Sequence, residues 1–132
     1  MTGSWAPRWM PRDSPEAKLL AAGYWWDAVR VPLDLGLHAL RHLGDETGAV
    51  ITDGYGRILY WLIRPGSAAG WSLAPVSVLT SGSHVVVPPP HRTTGPGPHW
   101  HVAPSRGCEW TSAARLHSAL STCLTTDACC PS

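Results

Sequence analysis

The sequence contains no phenylalanine and only one lysine, Lys18, among its ten basic residues. Its eight tryptophans therefore supply most of the large aromatic surface available for burial, and each buried indole N–H needs a hydrogen-bond partner. No window approaches the roughly 18 consecutive apolar residues of a membrane-spanning helix. The first residues also lack the continuous apolar run of a secretory signal. The sequence thus predicts a cytoplasmic protein without a membrane partner.

The sequence also lacks the short motifs that mark common nucleotide-binding and catalytic sites. It has no Walker-type phosphate loop, no glycine-rich dinucleotide loop and no nucleophile elbow. It has no D-x-D or D-x-E pair, although two-metal phosphoryl transfer needs clustered carboxylates to hold its cations. The four cysteines follow neither zinc-ligand nor C-x-x-C spacing. These absences predict no metal and no cofactor, and they favour a protein that is not an enzyme.

Acidic residues are absent from residues 54–108, a stretch that contains four arginines. Residues 1–53, in contrast, hold seven acidic and five basic residues, so the net charge of +1 conceals a strong asymmetry. A block with charge of only one sign favours an anionic partner, such as a nucleotide or a nucleic-acid backbone. A solvated surface that binds no ligand is the alternative interpretation of the same pattern.

The order of apolar runs and turn residues predicts one α+β domain over residues 14–122. An irregular segment, residues 1–13, precedes this domain, and a flexible tail with cysteines, residues 123–132, follows it. We expect a mostly antiparallel sheet of five to six strands with two to three helices packed on it.

Three stretches have helical patterns. A serine cap, a proline and an acidic residue predict a helix over residues 15–22. Leucines spaced three to four residues apart between Leu33 and Leu43 predict an amphipathic helix that packs on a sheet. Thr111 is expected to cap a last helix over residues 112–121. Its inward-facing residues are predicted to be Leu116, Ala119 and Leu120.

The remaining apolar runs have strand patterns. Residues 24–31 are aromatic and β-branched, which predicts a strand. Two pairs of runs around turn residues predict β-hairpins over residues 49–63 and 76–87. Residues 99–102 read as a further strand, with Trp100 facing the core and the two flanking histidines on the opposite face. Together with His91 or Cys108, those histidines suggest a transition-metal site only as a less favoured alternative.

Residues 83–100 join a β-branched run to three consecutive prolines and a loop rich in glycine and proline. Because proline cannot donate to a sheet, the segment predicts a strand that ends in a rigid loop at a sheet edge. His91 and Arg92 in this loop and Arg57 in the earlier glycine-rich turn are candidate anion-binding residues, since a guanidinium can hold phosphate with two hydrogen bonds. Asp53 is expected to cap the glycine-rich turn rather than to bind a metal.

The same segment resembles the end of the bifunctional DNA primase/polymerase N-terminal (prim-pol) domain of the archaeo-eukaryotic primase superfamily. In that family a glycine-led strand runs into two prolines, then a loop with histidine, serine and glycine, then a strand ending near tryptophan. The corresponding residues here are Gly82, Pro88, Pro89, His91, Arg92, Gly95 and Trp100. Residues 53–66 are similar to the family's glycine-rich turn, arginine, aromatic strand and proline. The likeness spans residues 48–102 and suggests a short, degenerate stand-alone protein of actinobacterial type.

This resemblance implies the fold and a residual anion-binding loop, but not polymerisation. The position of the family's catalytic histidine is occupied by Ile58, and the family's paired aspartates have no counterpart. The expected function is therefore a non-catalytic remnant that binds a nucleotide or nucleic acid through Arg57, His91 and Arg92. The alternative is a small regulatory or interaction protein that binds a protein partner through a tryptophan-rich surface, because eight tryptophans exceed what one small core readily buries.

Overall fold

A computed structural model of the protein describes residues 9–10, 16–73, 75–95, 97–104 and 110–129. The described part of the chain forms two helices and seven strands in two antiparallel sheets, which confirms the α+β class. The strands are β1 (Lys18–Ala21), β2 (Asp27–Pro32), β3 (Val50–Asp53), β4 (Ile58–Ile63), β5 (Ser77–Leu79), β6 (His84–Val87) and β7 (His99–Val102). The helices are α1 (Leu33–Leu43) and α2 (Ala113–Cys129), with a short 3-10 helix at Gly44–Glu46.

The main sheet has five strands in the order β5-β2-β4-β3-β7, and β1 pairs with β6 in a separate two-stranded sheet. Successive side chains of a strand point to opposite faces, so each strand contributes to two cores. Val29 and Trp61 face the helices, whereas Ala28 and Leu62 face the β1–β6 sheet. The protein therefore has three layers, with the main sheet in the middle.

Both helices follow the predicted apolar patterns, but the buried face of α1 is shifted relative to the leucine spacing. Helix α1 ends at Leu43, and the N–H of the following Gly44, which has a φ of 55°, bonds to the Leu40 carbonyl. Leu35 and Ala39 are buried, but Leu37 is 37% exposed, so the apolar face lies one position away from part of the leucine pattern. In α2 the three residues predicted to face inward, Leu116, Ala119 and Leu120, are all buried.

The start and end of α2 differ from the sequence-based prediction. The Thr111 hydroxyl does not cap the helix; it accepts a hydrogen bond from the Gly48 N–H at 2.7 Å, in a buried position. The Ser112 hydroxyl instead accepts from the Arg115 N–H at 3.4 Å. The helix continues beyond residue 121, and the Cys123 side chain, which was assigned to a flexible tail, is buried in the core.

Thr111→Val is expected to lower the free energy of unfolding by about 1–3 kcal/mol, because it leaves the buried Gly48 N–H without its acceptor. Valine keeps the shape of threonine, so the loss reports the hydrogen bond rather than a cavity. Urea denaturation measures it, with Thr111→Ser as the control that retains the hydroxyl. Equal stability of the valine and serine variants would contradict this assignment.

Two elements near the start and middle of the chain were predicted wrongly. The predicted helix over residues 15–22 is wrong, because residues 18–21 form β1 and pair with β6. Residues 76–87 do not form a hairpin, because β5 pairs with β2 while β6 pairs with β1. A turn does connect β5 and β6, since the Ser83 N–H bonds to the Thr80 carbonyl at 2.9 Å. The chain passes through this turn from the main sheet to the two-stranded sheet, and the two strands do not pair with each other.

The pairings show that β1–β2 and β5–β6 form one antiparallel ribbon that bends sharply at a corner. Gly23 and Gly82 lie at this corner with φ values of 103° and 97°, a region that favours glycine. The Ala22 N–H bonds to the Ser83 carbonyl at 2.8 Å and holds the two segments together there. The bend folds the β1–β6 sheet over the face of the main sheet opposite the helices.

Tryptophan fills much of the space between the two sheets. Trp9, Trp26 and Trp100 are buried there, with Trp9 in ring contact with the other two at centroid distances of 6.0 and 6.3 Å. Trp61 is buried on the helical side, where its indole N–H donates to the Thr47 hydroxyl at 3.1 Å. Four tryptophans are thus buried in the two cores.

Among the described helices, none is long and apolar enough to cross a membrane.

Candidate functional site

The turn that carries Arg57 and the loop that carries His91 and Arg92 leave the main sheet at the same end. Strand β3 ends opposite the start of β4, where Asp53 pairs with Ile58. Strand β7 begins beside the same end of β3, since its first residue pairs with Thr52. The turn and the loop also approach each other, because a Cβ on Gly97 would lie 3.4 Å from the Tyr55 ring. The sheet therefore brings the three predicted residues to one end of the molecule.

The β3–β4 turn is held by the carboxylate that was predicted to cap it. Asp53 Oδ1 accepts hydrogen bonds from the N–H groups of Tyr55 at 3.1 Å and Gly56 at 3.3 Å. Arg57, which closes the turn, has a φ of 55° and is the one non-glycine residue with positive φ in the described part of the chain. Its carbonyl accepts from the Leu33 N–H at 2.9 Å, which joins the turn to the start of α1.

The Arg57 side chain is available to solvent. Its nearest acidic group is Asp34, with an Nη2–Oδ1 distance of 3.5 Å, and the side chains are 67% and 86% exposed, respectively. An ion pair this long and this exposed contributes little to stability. An anion in solution therefore competes with Asp34 for the guanidinium at little cost.

The loop between β6 and β7 is pinned to edge strand β7, as predicted for a proline-rich segment. Pro88 and Pro89 are buried, and the Pro88 carbonyl accepts from the Trp100 indole N–H at 3.0 Å. The Trp100 backbone N–H donates to the Arg92 carbonyl at 2.9 Å, and the Arg92 N–H donates to the Pro89 carbonyl at 3.0 Å. His91 is exposed and Arg92 is partly buried. These bonds fix the backbone from which both side chains project.

A β-bulge alters the predicted arrangement of the β7 histidines. Ile51 pairs with Trp100 and Val50 pairs with Val102, so His101 is an extra residue without a partner on β3. Partial burial and the neighbouring His99 lower the pKa of His101, which therefore becomes cationic only at more acidic pH. Among the described residues no group of three or more His, Cys, Asp or Glu side chains is placed to hold a metal ion. Cys108, a possible third ligand, lies outside the described residues.

Sequence reasoning missed one pair of residues near this end of the sheet. Arg30 on β2 pairs directly with Tyr60 on β4. Arg30 is exposed and Tyr60 is partly buried, while Trp61, on the opposite face, is fully buried. Alternation along a strand puts Tyr60 and Trp61 on opposite faces, but the partnership of Tyr60 with Arg30 depends on strand order, which no local pattern specifies.

A cavity of about 480 Å³ lies beside β5 and is lined by uncharged residues that include Trp71, Leu73 and Val78. None of Arg57, His91 and Arg92 lines this cavity.

Comparison of the chain with models of known protein families, with curated proteins and with solved structures finds no match. The functional argument therefore depends on this chain's own residues and geometry.

Proposed function

We propose that the protein is a non-catalytic, prim-pol-like module that binds a nucleotide or nucleic acid through its phosphates. Arg57, His91 and Arg92, at one end of the main sheet, are the binding residues. Ile58, where the prim-pol family has its catalytic histidine, is an aliphatic side chain that can neither transfer a proton nor hold a phosphate. The absence of paired carboxylates in the sequence likewise supports binding without phosphoryl transfer.

The backbone conformation of Arg57 is the observation that carries this proposal. A left-handed conformation costs an L-residue roughly 1–2 kcal/mol relative to glycine, and the turn already contains Gly54 and Gly56. An arginine at this position is therefore poorly explained by the needs of the fold. Strained backbone of this kind is concentrated at binding sites, where a side chain is needed at a particular point.

The charges around this end of the sheet also support phosphate binding. Asp53 uses its carboxylate to hold the turn, and Asp34 forms only the long, exposed pair with Arg57. Residues 54–108 contribute arginines and no acidic residue. A phosphate that approaches Arg57 therefore meets attraction with little competing negative charge from the described residues of the turn and of α1.

Removing both arginines is expected to weaken binding strongly. In low salt, the native protein should bind a fluorescent oligo(dT) strand, with log affinity falling linearly as log salt rises. Arg57→Ala combined with Arg92→Ala should reduce this slope by about 1.4, because each phosphate contact on a single strand contributes about 0.7. Fluorescence anisotropy across a salt series measures both effects.

A matched control separates these arginines from net charge. Arg41→Ala combined with Arg115→Ala removes the same charge from the helical layer, where Arg115 pairs with Glu46. We expect this variant to retain most of the affinity and slope. Equal losses in the two double variants would reduce the proposal to nonspecific attraction. Native protein that does not bind the strand, and whose tryptophan fluorescence is unchanged by millimolar nucleoside triphosphate, would refute it.

Arg57→Gly is expected to separate stability from binding. Glycine accepts the positive φ of this position, so the free energy of unfolding should be unchanged or rise by up to about 1 kcal/mol. Affinity for oligo(dT) should fall as in Arg57→Ala. Chemical denaturation and anisotropy on the same preparation test both outcomes. A clear loss of stability would assign Arg57 to the fold rather than to a ligand.

The alternative, a protein partner bound by a tryptophan-rich surface, receives less support. Its premise was that one small core cannot bury eight tryptophans, yet Trp9, Trp26, Trp61 and Trp100 are buried. The most exposed of the described aromatic side chains are Tyr24 at 78%, Tyr55 at 77% and Trp25 at 38%, and of these Tyr24 and Trp25 are in ring contact. A single aromatic pair is a small basis for a protein interface.

A further inference from the structure

A row of directly paired residues crosses the face of the main sheet opposite the helices. Directly paired residues of antiparallel strands point to the same face. The row consists of Trp100, Ile51, Tyr60, Arg30 and Ser77, one from each strand. Trp100 and Ile51 are buried beneath the β1–β6 sheet, Tyr60 is partly buried, and Arg30 and Ser77 are exposed. Tyr60 thus lies where the covered part of this face meets the open part.

Tyr60 and Arg30 are immediate neighbours on the open part. Cβ atoms of directly opposed residues are about 4.5–5.5 Å apart, which is within reach of an aromatic ring and a guanidinium. In the described part of the chain, neither side chain has a hydrogen-bond or ion-pair partner. The Tyr60 ring packs partly against the core between the sheets, so its exposed part and the Arg30 guanidinium are the groups available to a ligand that stacks on the ring and carries negative charge.

Arginine lies on both sides of Tyr60. Arg30 is one strand away, and Arg92 is bonded through its carbonyl to the backbone of Trp100 at the far end of the row. Three strand spacings separate β2 from β7, a distance of about 14 Å. Ile51 and Trp100 lie between Tyr60 and Arg92 and are covered by the β1–β6 sheet, so Arg30 is the cation that shares the open face with Tyr60. An aromatic ring beside a cation matches a ligand in which a flat apolar group alternates with anionic groups.

We infer that Tyr60 and Arg30 form a stacking platform for an unpaired nucleobase, so that the ligand class is single-stranded nucleic acid. This inference rests on the proposed phosphate binding and adds base recognition to it. Aromatic side chains beside a positively charged track bind single strands with little sequence preference, because every base presents a flat face. Bases in a duplex are stacked on each other, and their faces are not available to Tyr60.

Two strands of equal charge test the platform. One is a fluorescent oligo(dT) 8-mer, and the other is an abasic 8-mer with the same phosphates and no bases. The native protein should bind the oligo(dT) strand roughly tenfold more tightly than the abasic strand, as expected for stacking of one base. Tyr60→Leu should remove this difference without affecting the abasic strand, and Tyr60→Phe, which keeps the ring, should retain it.

The outcomes distinguish the two proposals. If neither strand binds, phosphate binding itself fails. If both strands bind the native protein equally, and Tyr60→Leu changes nothing, phosphate binding stands and the platform is refuted. Arg30→Gln is a second test that does not disturb the core, because Arg30 is exposed. It should lower the salt slope for both strands by about 0.7, and an unchanged slope would exclude Arg30 from the site.

Discussion

Replacing Trp100 by alanine is expected to lower the free energy of unfolding by about 3–5 kcal/mol, the usual cost of removing a large buried aromatic side chain. Trp100 is 1% exposed between the two sheets and packs against Trp9. Its indole N–H also donates to the Pro88 carbonyl, which is buried and would lose this partner. The loss therefore combines a cavity with an unsatisfied polar group.

The Trp100→Ala substitution is also expected to loosen the loop that carries His91 and Arg92. The indole bond to Pro88 is one of the contacts that hold this loop to β7. Urea denaturation measures the stability, and hydrogen exchange of the Arg92 amide, which bonds to Pro89, reports the loop. Trp100→Phe is the control, since it retains most of the bulk and removes the indole donor. A loss below about 1 kcal/mol for the alanine variant would contradict the burial of Trp100.

Gly23→Ala is expected to cost about 3 kcal/mol or more, because two separate penalties coincide at the ribbon corner. Gly23 has a φ of 103°, which is unfavourable for any residue with a side chain, at about 1–3 kcal/mol. A Cβ here would lie 2.8 Å from both the Cα and the N atom of Ser81. These are backbone atoms that cannot move aside without separating the paired segments, and such overpacking costs about 1–3 kcal/mol.

Gly82 provides a matched control for this prediction. It lies at the same corner with a similar φ of 97°, and a Cβ there would have no neighbour within 4 Å. Gly82→Ala therefore measures the conformational penalty alone, and the difference between the two variants measures the crowding against Ser81. Thermal and urea unfolding of both variants provide the comparison. Equal losses would show that the ribbon corner is not closely packed.

Several features were predicted correctly because their physical cause is local. A leucine pattern followed by Gly44 specifies a helix and its end, since both depend on contacts within a few residues. Asp53 caps the glycine-rich turn because its carboxylate is within reach of the next N–H groups. Alternation along a strand placed Trp100 in the core.

The incorrect predictions share a different cause, which is pairing between distant segments. The Ser-Pro-Glu sequence before residue 18 favours a helix locally. In the structure, however, Leu19 and Leu20 pair with Val86 and Val85 of β6, which is distant in the sequence. Cross-strand hydrogen bonding, together with the packing of Leu20 and Val85 in the core between the sheets, outweighs a local preference worth only a few tenths of a kcal/mol per residue. The prediction of the second hairpin was wrong for a similar reason, because β5 pairs with β2 and β6 pairs with β1, both far away in the sequence.

The amino-acid sequence alone determined the α+β class, the rigid proline loop and the cationic character of residues 54–108, because composition and local stereochemistry specify them. Only the tertiary structure determined which of these features lie close together in space. Strand order placed Arg57 and Arg92 at one end of the main sheet, and cross-strand pairing placed Arg30 beside Tyr60. Such neighbours are set by long-range hydrogen bonding and burial, which act between residues far apart in the sequence.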